Sequence, residues 1–121
     1  MKIIIGINTY HADSAACIIV DGKLIAAIEE ERINRKKHYS GYPIVSIKEC
    51  LNIANKKDLE ITDIAFNTKP SSNLFSKGIF FLKNFSYKKN LFSERIKKKI
   101  NVKKLLIEKF KLNKKVKFHY V

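Results

Sequence analysis

The spacing of apolar residues divides this chain into short elements of alternating type. Lys2 to Ile7 (KIIIGI) is a β-branched apolar run, which predicts a strand buried on both faces. Asn8 to His11 are polar loop residues. Ala15 to Val20 (AACIIV) reads as a second strand, and Asp21-Gly22 is a two-residue hairpin turn because both residues tolerate positive φ. Lys23 to Glu30 (KLIAAIEE) returns as a third strand, giving an antiparallel meander. Glu31 to Tyr42 is too charged for a core and reads as a connection. Pro43 suits the first turn of a helix, where its missing N–H is not needed. Ile44, Ile47, Leu51 and Ala54 then recur at three- and four-residue spacing, predicting an amphipathic helix from about Pro43 to Asn55. Ile61 to Asn67 (ITDIAFN) is a fourth strand, closed by Pro70 and the Ser71-Ser72-Asn73 turn.

Three hairpin-linked strands followed by a helix and a strand imply a crossover that lays the fourth strand parallel to the first. The fold class is therefore α/β, with three antiparallel strands, a crossover helix and parallel strands. That order resembles the ribonuclease-H-like lobe found in each half of the actin-like ATPase superfamily. Beyond residue 73 the pattern is less regular. Leu74 to Phe85 is aromatic and apolar, Leu91 to Phe110 is helical with a stripe of Ile96, Ile100, Leu105, Leu106 and Phe110, and Val116 to Val121 (VKFHYV) alternates as a fifth strand. The expected organisation is one lobe over 1–121, with a sheet core and one helix in 1–70, a basic helical region in 71–115 and a final strand in 116–121. A last strand that closes a sheet edge points to an incomplete domain.

Composition and charge sharpen this picture. At 45% hydrophobic residues the chain can build a core, so wholesale disorder is excluded. No apolar run approaches the roughly 20 residues that span a bilayer, and Met1-Lys2 leads straight into a strand pattern rather than a signal peptide. The expected location is cytoplasmic. Cys17 and Cys50 fall on apolar faces and read as buried free thiols. Of the net charge of +14, residues 77–121 carry 15 Lys/Arg against 2 Asp/Glu, so the basicity belongs to the last third. It suits a polyanion-binding face, or a helical region that another part of a larger protein covers; a lysine-rich composition of the source organism accounts for it equally well.

Chemistry-bearing residues concentrate between Tyr10 and Pro43. His11, Asp13 and Ser14 lie on the loop between the first two strands, Glu29, Glu30 and Glu31 run together, and Arg35, Lys36, Lys37 and His38 follow at once. Polar groups on loops carried by rigid strands are where binding and catalytic residues concentrate. The bland readings stand beside this one: Asp13 as a local backbone cap, Lys37 as a solvated lysine, the glutamates as partners for Arg32 or Arg35. His38 stays unassigned, and His119 reads as a packing residue of the last strand.

IIIGIN, the YHADSAA loop, the VDGKLIAAIEEER hairpin and the RKKH…P segment, in that order, resemble the amino-terminal part of the NodU/CmcH-type carbamoyltransferases, and ITDIAFNTKP and VKFHYV fit the same layout. The resemblance implies transfer of a carbamoyl group from carbamoyl phosphate, through a carbamoyl-adenylate made in a separate YrdC-like domain, to a hydroxyl of a sugar or natural-product acceptor. It places His11 and Lys37 at the transfer site as catalytic residues. A histidine suits a base for the acceptor hydroxyl, and lysine supplies positive charge for phosphate or a developing oxyanion. Asp13, Ser14 and Arg35 are the substrate-binding candidates, Asp13 by orienting His11 and Ser14 by binding an oxygen with nearby N–H groups. ATP and a divalent metal are expected for a complete enzyme. Neither is expected on these residues alone: there is no glycine-rich phosphate loop, Asn8 replaces the aspartate that ends the first strand in the superfamily's ATPases, and the relatives' histidine-rich metal motif follows the last strand. The expectation is an amino-terminal fragment, inactive alone, that works with a second chain carrying the missing domains. The alternatives are a small nucleic-acid-binding protein using residues 77–121, or a module that completes another chain's sheet.

Overall fold

A computed structural model describes residues 1–9, 12–67 and 102–121. Strands β1 (Ile3–Asn8), β2 (Ala15–Val20) and β3 (Lys23–Glu29) are followed by helices α1 (Glu30–Asn34) and α2 (Ile44–Ile53), strand β4 (Asp63–Phe66), helix α3 (Val102–Lys109) and strand β5 (Lys117–Tyr120). Met1–Thr68 and Phe110–Val121 form one compact unit, and Lys69–Lys109 a second. Leu74 to Phe85 and most of the Leu91–Phe110 stretch lie outside the described residues. Within the second unit, α3 carries buried Val102 and Leu106 among exposed lysines. No helix of the described residues is long and apolar enough to cross a membrane.

The first unit is a mixed sheet in the order β3-β2-β1-β4-β5. β1–β2 and β2–β3 are antiparallel, while β4 lies parallel to β1 and β5 parallel to β4. The turn chemistry expected from Asp21-Gly22 is present: both residues have positive φ, 48° and 83°, which matches the twist of the flanking strands. The Asp21 carboxylate also accepts the Lys2 N–H at 2.7 Å, fixing the hairpin to the start of β1.

β1 departs from the expected strand buried on both faces. Ile3, Ile5 and Ile7 are buried, but Ile4, Gly6 and Asn8 between them are only half-buried. The buried row continues through Ala16, Ile18, Ile64 and Phe66 and receives Ile47, Cys50 and Leu51 of α2. Cys50 is buried, donates to the Ala16 carbonyl at 3.5 Å, and has its thiol pushed up to about 11, first by desolvation and then by Cys17. The other face is lined by small residues. Gly6, Ala15, Cys17, Ala27 and Ala65 floor an open hollow of about 730 Å³. Cys17 is therefore half-buried, unlike Cys50.

β5 is attached to β4 through both faces. On the core side the Phe66 ring lies 6.3 Å from Phe118 and 5.5 Å from Tyr120, both near parallel. On the other, His119 Nε2 lies 2.7 Å from Asp63 Oδ1, and the Thr62 hydroxyl donates to Oδ2 at 2.8 Å. His119, expected to pack in its strand, instead links the two strands through a nearly buried carboxylate. These two hydrogen bonds, the imidazole's first, hold the Asp63 carboxyl below the usual carboxylate range.

Two measurements probe this packing. A Cβ on Gly6 would stand 2.7 Å from Cys17 Sγ, so Gly6→Ala is expected to lower stability by about 1–3 kcal/mol in urea titrations, the range for overpacking. Cys17→Ala in the same chain should return most of that loss. Asp63 releases its proton more readily folded than unfolded, so its contribution is present above the unfolded pKa of about 3.9. It is lost as pH falls through the lower folded value. The stability gap between the wild type and Asp63→Asn should therefore close on acidification below about pH 4, as read by denaturant midpoints.

Candidate functional site

At the carboxyl end of β1 the β1–β2 connection meets the segment running from Arg35 to Tyr42, and Ser14 holds them together. Its N–H donates to the Tyr39 carbonyl at 2.9 Å and its hydroxyl to the Gly41 carbonyl at 2.6 Å. The Ser14 carbonyl accepts the Glu30 N–H at 2.8 Å. The Thr9 hydroxyl donates to the same Gly41 carbonyl at 3.2 Å. A Cβ on Gly41 would meet the far end of the half-buried Tyr39 side chain, which would have to swing aside. Ser14 is 1% exposed. The sequence marked it as a substrate-binding residue, but its hydroxyl and N–H are both donated inside the protein. It acts as the fastener between the two segments.

Asp13 and His38 face each other across this junction. His38 Nδ1 is 3.1 Å from Asp13 Oδ1, and the His38 backbone N–H donates to Glu31 Oε2 at 3.1 Å. Asp13, Glu31 and His38 each bring one polar atom within 4.8 Å of the others. Asp13 and His38 both adopt left-handed backbone, with φ of 64° and 53°. Such conformations cost about 1–3 kcal/mol each for residues bearing a Cβ and persist only where the surroundings over-determine them. Asp13, expected to orient His11, is thus engaged with His38. His11 lies outside the described residues. The sequence assigns His38 no role; its sole signal there is its place directly after the basic run.

Arg35 and Lys37 stand on the same segment. Arg35 closes α1 in the left-handed conformation, φ 60°, with its N–H on the Glu31 carbonyl at 3.0 Å. Both side chains are exposed and make no hydrogen bond or ion pair among the described residues. Their charges are free to meet an anion.

The glutamate run serves three separate ends. Glu29 pairs with Arg32 at 3.3 Å on the surface, as the ion-pair reading expected. Glu31 holds the His38 backbone. Glu30 is 3% exposed and begins α1 rather than ending β3. Its carboxylate accepts the N–H groups of Val45 and Ser46, at 3.2 and 2.8 Å. α2 has no side-chain cap of its own at Pro43, so Glu30 satisfies orphan donors of its first turn and faces the positive end of its dipole. The expected loop from Glu31 onward therefore contains a short helix, because burying Glu30 against α2 requires the chain to turn there.

Asn8 is engaged in holding the loop. Its amide donates to the Asp13 carbonyl at 3.1 Å and its oxygen accepts from Asn67 at 2.5 Å. A carboxylate at residue 8 would lose the first of these bonds. The side chain thus ties the end of β1 to Asn67 and to the loop.

The chain matches the Carbamoyltransferase N-terminus family over residues 3–120. It belongs to that family. Relatives include the Nodulation protein NolNO of Sinorhizobium fredii, 46% identical over 59 residues, which are 49% of this chain and 9% of that protein. A Synechocystis protein, sll1178, is 43% identical over 70 residues, 58% of this chain and 11% of its own length. A 19.2 kDa protein from the syrM 5′ region of Rhizobium etli is 44% identical over 59 residues, 49% of this chain and 34% of its own. This chain thus spans from about a tenth to a third of the relatives it matches. Among solved structures, YeaZ from Pseudomonas aeruginosa aligns with a TM-score of 0.43 at 14% identity, over 60% of this chain and 31% of that one.

Removing the Glu30 carboxylate tests how the site is held. Glu30→Ala is expected to destabilise by about 2–3 kcal/mol, since hydrogen bonds to a charged group contribute about 1.5–3 kcal/mol. Glu30→Gln, which keeps one acceptor oxygen, should lose less. Chemical denaturation followed by circular dichroism reads both.

Proposed function

We propose that this chain is the first, ribonuclease-H-like lobe of an O-carbamoyltransferase, contributing one wall of the site where a carbamoyl group passes to a hydroxyl. The single observation that carries the reading is the joining of the β1–β2 connection to the Arg35–Tyr42 segment through Ser14, in a chain of the carbamoyltransferase N-terminus family. That junction brings the Asp13 loop and the unpaired cations Arg35 and Lys37 to one end of a rigid sheet. The strand order and the parallel β4 support the ribonuclease-H-like assignment.

The chemistry asked of these residues is acyl transfer. An acceptor oxygen bonds to the carbamoyl carbon, the bond from that carbon to the phosphate oxygen breaks, and the phosphate or adenylate leaves with the electron pair. Lys37 and Arg35 offer positive charge to the donor's phosphate and to charge developing on the carbamoyl oxygen. His11 is carried from the resemblance as a residue of the transfer site. Ser14 keeps the two segments in register, so its part is positional. ATP belongs to the separate adenylate-forming domain, and the metal to the histidine motif expected beyond these residues; neither enters a step here. Half of a cleft positions only part of two substrates, and positioning is a large share of the rate gain. The lobe therefore works with a polypeptide, in the same chain or another, that carries the remaining domains. The cytoplasm is the compartment that supplies carbamoyl phosphate and ATP together. The nucleic-acid alternative depends on residues 77–121, most of which lie outside the described residues.

The test is transfer of radiolabelled carbamoyl phosphate to N-acetylglucosamine by the chain supplied with the remaining domains. Labelled sugar is expected, with Lys37→Ala lowering the rate by about 10²-fold or more, the effect of losing one charge-stabilising donor. Equal transfer by the chain on its own would refute the single-wall reading.

A further inference from the structure

We infer that His38 is the group that takes the acceptor's proton in this site, and that Asp13 is the residue that positions it. The inference rests on the carbamoyl-transfer reading and goes beyond it, because neither the basic run nor the family resemblance gave His38 a role.

The ring is fixed from two sides. Asp13 Oδ1 holds Nδ1 at 3.1 Å, and Glu31 Oε2 holds the backbone N–H of the same residue at 3.1 Å. A carboxylate accepts, so it places the imidazole hydrogen on Nδ1 and leaves the lone pair of the neutral ring on Nε2. Nε2 has no hydrogen-bond partner among the described residues, and the side chain is 79% exposed. The basic nitrogen thus faces open space, while its partner nitrogen is tied to the loop. Carboxylate, imidazole and open nitrogen form the arrangement that prepares a histidine for proton abstraction from a hydroxyl.

The backbone supports the same conclusion. Asp13 and His38 both hold positive φ, and each is anchored beside a bond that fixes the junction: Ser14 to the Tyr39 carbonyl, and His38 to Glu31. A surface ion pair between flexible side chains requires neither. Two residues held in a disfavoured conformation so that their side chains meet is the pattern of a preorganised site. Lys37, adjacent in sequence, carries positive charge on the same turn, where the carbamoyl oxygen gains negative charge.

The step balances as follows. The acceptor O–H proton passes to Nε2 as its oxygen bonds to the carbamoyl carbon. The bond from carbon to phosphate oxygen breaks, and the electron pair leaves with the phosphate or adenylate. The imidazolium, stabilised by Asp13, then returns the proton to water. The charged groups around the ring are Asp13 and Glu31 and, on its own segment, Arg35, Lys36 and Lys37.

Two measurements test this. In the first, wild type, His38→Gln and Asp13→Asn are assayed with the remaining domains, radiolabelled carbamoyl phosphate and N-acetylglucosamine across the pH range around neutrality. His38→Gln should lower kcat by about 10²–10⁴-fold, the range for a lost general base, with KM changed little. Asp13→Asn should lower kcat less, with KM changed little. In the second, nitrogen NMR of the isolated chain reads the neutral tautomer of His38: hydrogen on Nδ1 in the wild type, redistributed toward Nε2 in Asp13→Asn. A His38→Gln enzyme within threefold of an active wild type overturns the inference and leaves the carbamoyl-transfer reading standing. Hydrogen on Nε2 in the wild-type chain overturns it too. A wild type that labels no sugar overturns the transfer reading, and the inference falls with it.

Discussion

The hydrogen bonds of Ser14 are the constraint on which the rest of this site depends. A single buried residue uses its N–H, its hydroxyl and its carbonyl to hold Tyr39, Gly41 and Glu30. Tyr39 and Gly41 belong to the Arg35–Tyr42 segment, and Glu30 begins α1. The bonds explain why a loop of small and polar residues has one conformation. They also explain the positive φ on either side, at Asp13 and His38: fixing Ser14 to the opposite strand of chain leaves each neighbour little choice of backbone.

Charge is distributed with equal economy along the glutamate run. Three consecutive carboxylates look uniform, yet each meets a different environment. Glu29 remains in solvent beside Arg32, where a pair contributes little. Glu30 turns inward and replaces the side-chain cap that α2 lacks. Glu31 sits between them and holds the turn that carries His38. Alternation along the end of a strand, followed by entry into a helix, is what sends neighbouring side chains in different directions. The buried one accepts the N–H groups of Val45 and Ser46 in the first turn of α2.

The sheet has two unlike faces. α2 closes one with Ile47, Cys50 and Leu51, while the other is a hollow floored by glycine, alanine and Cys17. Gly6 lets Cys17 lie over β1, and Asn8 ties the end of that strand to Asn67. The chain belongs to the carbamoyltransferase N-terminus family and spans only part of the relatives it matches.

Most of the strand plan was legible from residues alone, because apolar β-branched runs and the Asp21-Gly22 turn are local properties that survive in any context. The helix from Pro43 was legible for the same reason, as was the parallel fourth strand once a crossover helix was admitted. The Glu29–Arg32 pair also lies within one turn of chain. What the sequence did not contain were the long-range partners: Ser14 with Gly41, Asp13 with His38, Glu30 with the start of α2, Asp63 with His119. Each joins residues 15 or more apart in the chain, and a hydroxyl, carboxylate or imidazole carries no mark of which distant group will face it. The residue types announced that polar chemistry gathers near the first loop. Only the folded backbone decided which of those groups would be consumed in holding the site together and which would be left facing outward to act.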